Sequence, residues 1–243
     1  MSQNKSQNSY LAGVKGGLPI GLGYLSVSFG FGISVISQGL AEMWAVIISM
    51  TNLTSAGQLA GVGVIVASGT LVEMVLSQLV INIRYSLMGI ALTQKLDSRY
   101  STLHRFITSF GITDEIFAVA ASQKGKIGPK YMYGLITLPY ICWTMGTVVG
   151  VLAGNVLPAS VTAALGIAIY SMFVAIVVPV AKTDKGILLT VIVSCAISCI
   201  LYYVPLFKAV SQGFSIIICA VLASVIAAVV MPLKQDEEGQ SNE

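Results

Sequence analysis

Runs of about twenty apolar residues recur along this chain, and they limit it to a membrane fold more firmly than any motif does. An α-helix needs about 20 predominantly apolar residues to cross the hydrocarbon core of a bilayer. Only 9% of the 243 residues are charged, whereas a soluble domain carries about 25%. We therefore predict an all-α polytopic membrane protein with about six full transmembrane helices, at residues 18–39, 69–92, 131–154, 158–181, 187–204 and 211–231.

Polar residues gather at the two ends of the chain and divide it into three parts. Residues 1–17 form a polar N-terminal segment, and residues 232–243 form an acidic tail. We expect residues 18–231 to build a single transmembrane domain between them.

One apolar stretch, residues 43–68, is interrupted by polar and small residues from Asn52 to Gln58. Asn, Thr and Ser favour the N-cap position of a helix. Two half-helices that meet here, the second starting near Ser55, would point free backbone N–H groups into the protein, where they can bind a carboxylate. The alternative is one continuous helix whose Thr and Ser hydroxyls bond to their own carbonyl groups.

Ionisable groups also lie where the pattern predicts membrane depth. Arg84 is inside the run 69–92, and a charge at that depth needs a partner. Thr113 is expected to cap a short helix from about Asp114 to Ser122, with Asp114 and Glu115 in its first turn. The surrounding stretch 106–122 is too short to cross, so we predict a re-entrant or interfacial helix there. The two acids either cap that helix only, or provide a countercharge for Arg84 and a site for a coupling proton.

The positive charges bear on topology, because cytoplasmic loops of membrane proteins are rich in Lys and Arg. If residues 43–68 re-enter and the N-terminus is cytoplasmic, eleven of the thirteen Lys and Arg face the cytoplasm. If residues 43–68 cross, the N-terminus moves outside and nine do. The count favours re-entry, and both arrangements place the C-terminus in the cytoplasm.

The sequence offers little for other chemistry. It has a single histidine, His104, and no glycine-rich phosphate loop before a helix. Its four cysteines all lie in apolar runs, where packing is their usual role. No basic stripe is interleaved with aromatic residues. We expect no enzyme, no cofactor, no bound metal and no nucleic-acid partner.

Several short motifs follow one another in a characteristic order. They are Leu18-Pro19-Ile20, Gly23-Tyr24, Phe29-Gly30-Phe31-Gly32, Ser55-Ala56-Gly57-Gln58-Leu59, Asn82-Ile83-Arg84-Tyr85-Ser86-Leu87-Met88-Gly89, Thr113-Asp114-Glu115-Ile116-Phe117-Ala118, Trp143 with Gly146-Thr147 and Gly150, and Ala164-Leu165-Gly166 with Met172-Phe173. In this order and spacing the chain resembles the large subunit of the AzlC/BrnF-type (LIV-E) branched-chain amino-acid exporters. It departs from that family at Ser55 to Leu59, where Gly-Ala-Ser-Gln-Phe is frequent, and at Tyr85, where the family often has His.

The resemblance implies export of Leu, Ile, Val or Met through a bacterial cytoplasmic membrane, driven by the proton gradient. It also implies a separately encoded small, multi-span membrane subunit of the AzlD/BrnE type as partner, in addition to the lipid around both chains.

Together these observations give a site hypothesis. The substrate carboxylate binds the backbone N–H groups near the break, Gln58 and Asn82 add polar contacts, and the apolar side chain lies on the glycine-rich wall of residues 24–32. The predicted substrate-binding residues are Ser55, Ala56, Gly57, Gln58, Asn82, Tyr24 and Gly30, and the predicted charge-coupling residues are Arg84, Asp114 and Glu115. Two alternatives stay open: a non-transporting assembly subunit in which Arg84 serves folding, and an exporter of another small solute such as a metal cation.

Overall fold

The computed structural model describes residues 8–158, 160, 161, 164, 174, 177–207 and 209–231. The chain divides into two compact units, Met1–Met172 and Phe173–Glu243. In the described part of the first unit the helices are α1 (Tyr10–Ser37), α2 (Glu42–Thr51), α3 (Ser55–Val66), α4 (Leu71–Thr93), α5 (Thr102–Phe110), α6 (Asp114–Ser122) and α7 (Pro129–Val156).

The second unit contains α8 (Lys185–Tyr203), a short 3-10 helix (Pro205–Phe207) and α9 (Gln212–Val230), with α8 and α9 packed on each other. Helices α1, α4, α7, α8 and α9 are long and apolar enough to cross a membrane. The protein is therefore an all-α polytopic membrane protein, as predicted. The span predicted at 158–181 lies mostly outside the described residues.

Helix α1 begins at Tyr10, eight residues before the apolar run that predicts it. Two polar side chains hold this start in place. Ser9 Oγ accepts a hydrogen bond from Ala12 N at 3.2 Å and so caps the helix. Asn8 donates from Nδ2 to Lys126 O at 3.0 Å and accepts from Gly128 N at 2.7 Å. The N-terminal end of α1 therefore lies beside the loop that leads into α7.

Helices α1 and α7 form the central pair, and glycines let their backbones touch. A Cβ added to Gly17 in the first half of α1 would lie 2.7 Å from the carbonyl oxygen of Leu135 in α7. A Cβ added to Gly150 in the second half of α7 would overlap the Phe29 carbonyl. Because first halves meet first halves, the two helices run parallel. Small residues at this spacing are how membrane helices approach closely.

Helices α2 and α3 form a hairpin, which confirms the predicted break in residues 43–68. Near the end of α7, Asn155 Nδ2 donates to Glu42 Oε1 at 2.6 Å, at the start of α2. Helix α3 returns toward that end, because Val62 packs in one cluster with Val151 of α7. At the tip, the Tyr140 hydroxyl donates to Met50 O at 3.0 Å. With lengths of about 15 and 18 Å, neither helix crosses alone, and the hairpin enters and leaves on the same side.

Helices α5 and α6 form a second hairpin, where the sequence predicted a single helix in 106–122. Helix α6 has the predicted bounds, whereas α5 was missed. Helix α5 starts beside Tyr133, whose hydroxyl lies 2.7 Å from His104 Nδ1. Helix α6 returns to the same end of α7, where Gln123 Nε2 donates to the Tyr131 hydroxyl at 2.7 Å. This hairpin therefore enters from the opposite side to the first one.

The two hairpins belong to a repeated plan. Helix α1 crosses and the α2–α3 hairpin enters from the side where α1 ends. Helix α4 then crosses back, and just past its end Lys95 Nζ donates to Gln123 O at 2.8 Å, at the base of the α5–α6 hairpin. One crossing helix followed by one hairpin thus occurs twice in opposite directions. This is the plan of inverted-topology repeats in secondary transporters.

Candidate functional site

The tips of the two hairpins meet halfway along the central pair. Tyr24 and Trp143 each lie about 21 Å from the start of their helix, with ring centroids 5.0 Å apart. Leu53 and Ile112, one from each tip, join the same apolar cluster. Tyr140 contacts both hairpins, through its bond to the end of α2 and through a ring contact of 5.9 Å with Phe110. We call this region the hairpin junction: tip residues 52–54 and 111–113 with the side chains that contact them.

An ion pair joins α4 to α6 at the junction. Arg84 Nη1 lies 2.7 Å from Asp114 Oδ2, and both side chains are partly exposed. Asp114 is in the first turn of α6, and its other carboxylate oxygen, Oδ1, has no donor among the described residues. Asp114 is thus the countercharge of Arg84 and keeps one oxygen open.

The second acid of this turn has a different partner. The Tyr24 hydroxyl lies 2.7 Å from Glu115 Oε2 and 2.5 Å from Thr113 Oγ1. Thr113 also caps α6, since its Oγ1 accepts from Ile116 N at 3.3 Å. The two adjacent acids therefore contact different helices: Glu115 bonds to Tyr24 of α1, and Asp114 pairs with Arg84 of α4.

Tyr85 connects the ion pair to the first hairpin. Arg84 Nη2 donates to the Tyr85 hydroxyl at 3.1 Å, and its guanidinium carbon lies 4.9 Å from the Tyr85 ring centre. The same hydroxyl interacts with the side chain of Thr54, the N-cap residue of α3. The Thr54 side chain makes no capping bond to α3. The first N–H groups of α3, from Ser55 to Gly57, are therefore not capped by it.

Gln58 closes the first hairpin from inside and is only 1% exposed. Its Nε2 donates to the carbonyl oxygens of Ile48, at 3.3 Å, and Asn52. Ile48 O also accepts from Asn52 N at 2.9 Å, and Asn52 directly follows the last residue of α2. Gln58 Oε1 has no donor among the described residues.

A chain of amide groups connects α3 to α4. Gln78 Nε2 donates to Gly57 O at 2.8 Å, and Asn82 Nδ2 donates to Gln78 Oε1 at 3.1 Å. Gln78 was missed by the sequence analysis, although a Gln four residues before Asn82 in an apolar run was a usable signal. Ala56 and Gly57 lie in the first turn of α3, as predicted.

Gly30 lies away from the junction, and its role in a glycine-rich wall for the substrate stays a prediction. It is buried about 9 Å beyond Tyr24 along α1. A Cβ added to its neighbour Gly32 would lie 2.8 Å from Val151 N in α7. This part of α1 is occupied by helix packing, and only Tyr24 of the predicted wall reaches the junction.

Two aromatic residues of α7 at the junction were not predicted as site residues. The sequence does not mark Tyr140 as a site residue, because a tyrosine at the membrane interface or packed between helices occurs in the same sequence pattern. Trp143 was cited only for the resemblance, yet it is almost fully buried and its Nε1–H has no acceptor among the described residues.

Comparison with known proteins identifies the family and several relatives of the chain. A family model described as "AzlC protein" matches residues 19–157, which hold all the junction residues. The chain is 26% identical over 229 residues to the inner membrane protein YgaZ of Escherichia coli K12, covering 90% of this chain and 91% of that protein.

Two further relatives are named as uncharacterized membrane proteins. One, of Archaeoglobus fulgidus, is 30% identical over 163 residues, covering 66% of this chain and 71% of that protein. The other, of Helicobacter pylori J99, is 28% identical over 142 residues, covering 57% of this chain and 61% of that protein. No solved structure matches the chain. Since the family model covers more than half of its length, the chain belongs to the AzlC family.

Proposed function

We propose that this protein is a secondary active exporter of branched-chain or other small apolar amino acids (Leu, Ile, Val or Met). It would act with a small multi-span membrane subunit of the AzlD/BrnE type in a bacterial cytoplasmic membrane. The observation that carries the proposal is the meeting of two oppositely directed hairpins at a charged junction. Broken helices that meet at mid-depth inside inverted repeats are the usual construction of a secondary-transporter binding site.

The junction has the charge that an amino-acid carboxylate needs. The uncapped N–H groups of α3 begin at Ser55 and carry the positive end of the helix dipole. Arg84 lies next to this helix start through Tyr85 and the Thr54 side chain. A carboxylate at the junction would therefore meet backbone donors and compete with Asp114 for the guanidinium group.

That competition offers a route to proton coupling. When the substrate carboxylate pairs with Arg84, Asp114 loses its countercharge and becomes easier to protonate. Asp114 lies outside the five candidate spans. Burial raises the pKa of its carboxyl, and the positive charge of Arg84 opposes part of that rise.

The topology of the proposal places the basic loops in the cytoplasm. The start of α1 lies beside Lys126 and Gly128, so the N-terminus and the basic segment 95–130 share one side. By the positive-inside rule that side is cytoplasmic. The C-terminus is proposed to be cytoplasmic too.

The test is Arg84→Ala in cells that also make the small subunit. We expect leucine export to fall at least about tenfold, because truncating one partner of a desolvated charge pair costs about 2–5 kcal/mol. Arg105→Ala is the matched control, since Arg105 is exposed on α5. Export that matches the unsubstituted protein would refute the site. Loss of the protein itself from the membrane would favour the assembly-subunit alternative.

A further inference from the structure

Two buried amide oxygens near the hairpin junction have no hydrogen-bond donor among the described residues. They are Gln58 Oε1 in α3 and Asn82 Oδ1 in α4. Buried side-chain acceptors in native proteins are nearly always paired, with protein, water or ligand. An unpaired one costs about 1–3 kcal/mol, so two in one region indicate a missing donor.

The orientation of the Gln58 amide follows from its neighbours. The carbonyl groups of Ile48 and Asn52 can only accept hydrogen bonds, and both face this side chain. Gln58 must therefore turn its NH₂ group toward them. Rotating the amide by 180° would place oxygen against oxygen, so Oε1 is the free end.

The orientation of the Asn82 amide follows in the same way from its hydrogen bond to Gln78. The Gly57 carbonyl can only accept a hydrogen bond, so Gln78 presents Nε2 to it. Gln78 Oε1 is then an acceptor, and Asn82 must present Nδ2 to it. The amide chain starts at a carbonyl group and ends in a free carbonyl oxygen, Asn82 Oδ1.

We propose that Gln58 Oε1 and Asn82 Oδ1 bind the α-ammonium group of the transported amino acid. An ammonium group has three donors and no acceptor, which complements two unpaired oxygens. The inference rests on the proposed function, in which the start of α3 and Arg84 take the carboxylate. The junction then recognises both charges of a zwitterion while leaving the apolar side chain to the surrounding cluster.

This arrangement predicts strong selection for the amino group. A site whose buried polar groups pair with a substrate N–H rejects an analogue that lacks it, because those groups stay unpaired. A monovalent cation such as Na⁺ would also be held by amide oxygens. The experiment below therefore includes a sodium-free arm.

The experiment uses the complex of this chain with its small subunit, reconstituted in liposomes that carry out leucine counterflow. Leucine, 4-methylpentanoate (leucine without its amino group) and isoamylamine (leucine without its carboxylate) are compared as inhibitors. We expect leucine to compete at least about a hundredfold better than 4-methylpentanoate. Replacing Na⁺ by N-methylglucamine should change nothing.

Two results would overturn the inference while leaving amino-acid transport intact: equal competition by 4-methylpentanoate, or leucine binding that requires Na⁺. Absence of any leucine counterflow, with both proteins present in the liposomes, would overturn the proposed function and this inference together. This comparison needs no substituted protein.

Substituted proteins then test whether each of the two oxygens binds the ammonium group. Gln58→Met and Asn82→Leu keep the side-chain size and remove the acceptor. We expect each to reduce the advantage of leucine over 4-methylpentanoate to less than about tenfold. Gln94→Met, at the exposed end of α4, is the matched control and should keep the full preference. Full preference in Asn82→Leu, whose amide nitrogen bonds to Gln78 alone among the described residues, would remove Asn82 from the site even if Gln58→Met failed to fold.

Discussion

At the scale of single residues, Tyr24 connects helix α1 to the second hairpin through one hydroxyl group. Its ring packs edge-on against Trp143, so the hydroxyl can be removed without disturbing the packing. Tyr24→Phe should lower the free energy of unfolding by about 1–3 kcal/mol, since a bond to the Glu115 carboxylate is lost. Thermal unfolding of the purified protein measures the effect. Tyr203→Phe, exposed at the end of α8, should have none, and equal melting of both variants would contradict the assigned bond.

Asp114 gives a second residue-scale prediction. If it carries the coupling proton, Asp114→Asn should export little and should lose the dependence of export on the pH gradient. The raised pKa of Asp114 means that its carboxyl keeps a proton at higher pH than an ordinary one does. Export measured at several external pH values checks this. Asp97→Asn, in the loop after α4, is the control, and an unchanged pH profile in Asp114→Asn would exclude Asp114 as the proton site.

The sequence was enough to predict the role of some site residues and not of others. Arg84 was recognisable because a charge inside an apolar run requires a partner, and Asp114 was available as one. Gln78 was recognisable as a Gln four residues before Asn82 in an apolar run, whereas the role of Trp143 depends on which helices face each other. Gly30 was assigned to a wall for the substrate, although glycines in membrane helices serve helix packing equally well. Only the packing of α1 against α7 separates those two roles.

At the scale of helices, capping residues made the hairpins partly predictable. The break after Asn52 and the start of α6 at Asp114 both follow from N-cap chemistry. Helix α5 escaped prediction, because Thr102–Phe110 mixes His104 and Arg105 with apolar residues and only its second half lies in the stretch 106–122 that was predicted as a single short helix. The start of α1 predicted at residue 18 is eight residues too late, because the sequence does not show the contacts that Asn8 and Ser9 make.

The contact between α1 and α7 predicts how substitutions in it behave. Gly150→Val would drive a side chain into the Phe29 carbonyl, and overpacking of this kind costs about 1–3 kcal/mol or more. Gly89→Val is the matched control, because a Cβ at Gly89 meets nothing within 4 Å. Size-exclusion profiles and melting temperatures in detergent measure the difference. If both variants behave alike, the close approach of the two helices is wrong.

At the scale of the whole molecule, the two oppositely directed hairpins explain the charge distribution. The first hairpin re-enters, so the chain crosses an even number of times between the starts of α1 and α7. This places the N-terminus and the basic segment 95–130 on one side, as the charge count favoured. The inverted plan itself was not predictable, because the sequences of the two hairpins share little beyond a threonine at the N-cap position of the second helix, Thr54 and Thr113.

Re-entry can be tested by labelling from each side of the membrane. In a variant without the four native cysteines, Ser37→Cys and Ala67→Cys mark the two ends of the first hairpin. Both are exposed. We expect a membrane-impermeant maleimide to label both from the outside only. Labelling of the two positions from opposite sides would show that residues 43–68 cross.

The central claim, export of small apolar amino acids by a two-subunit protein, is tested most directly by amino-acid levels in cells fed with dipeptides of Leu, Ile, Val or Met. The cells contain this chain, the small subunit, both or neither, and intracellular and extracellular levels are followed over time. We expect faster loss of at least one of these amino acids from the cells only when both subunits are present. No change for any amino acid, with both proteins detected in the membrane, would contradict it.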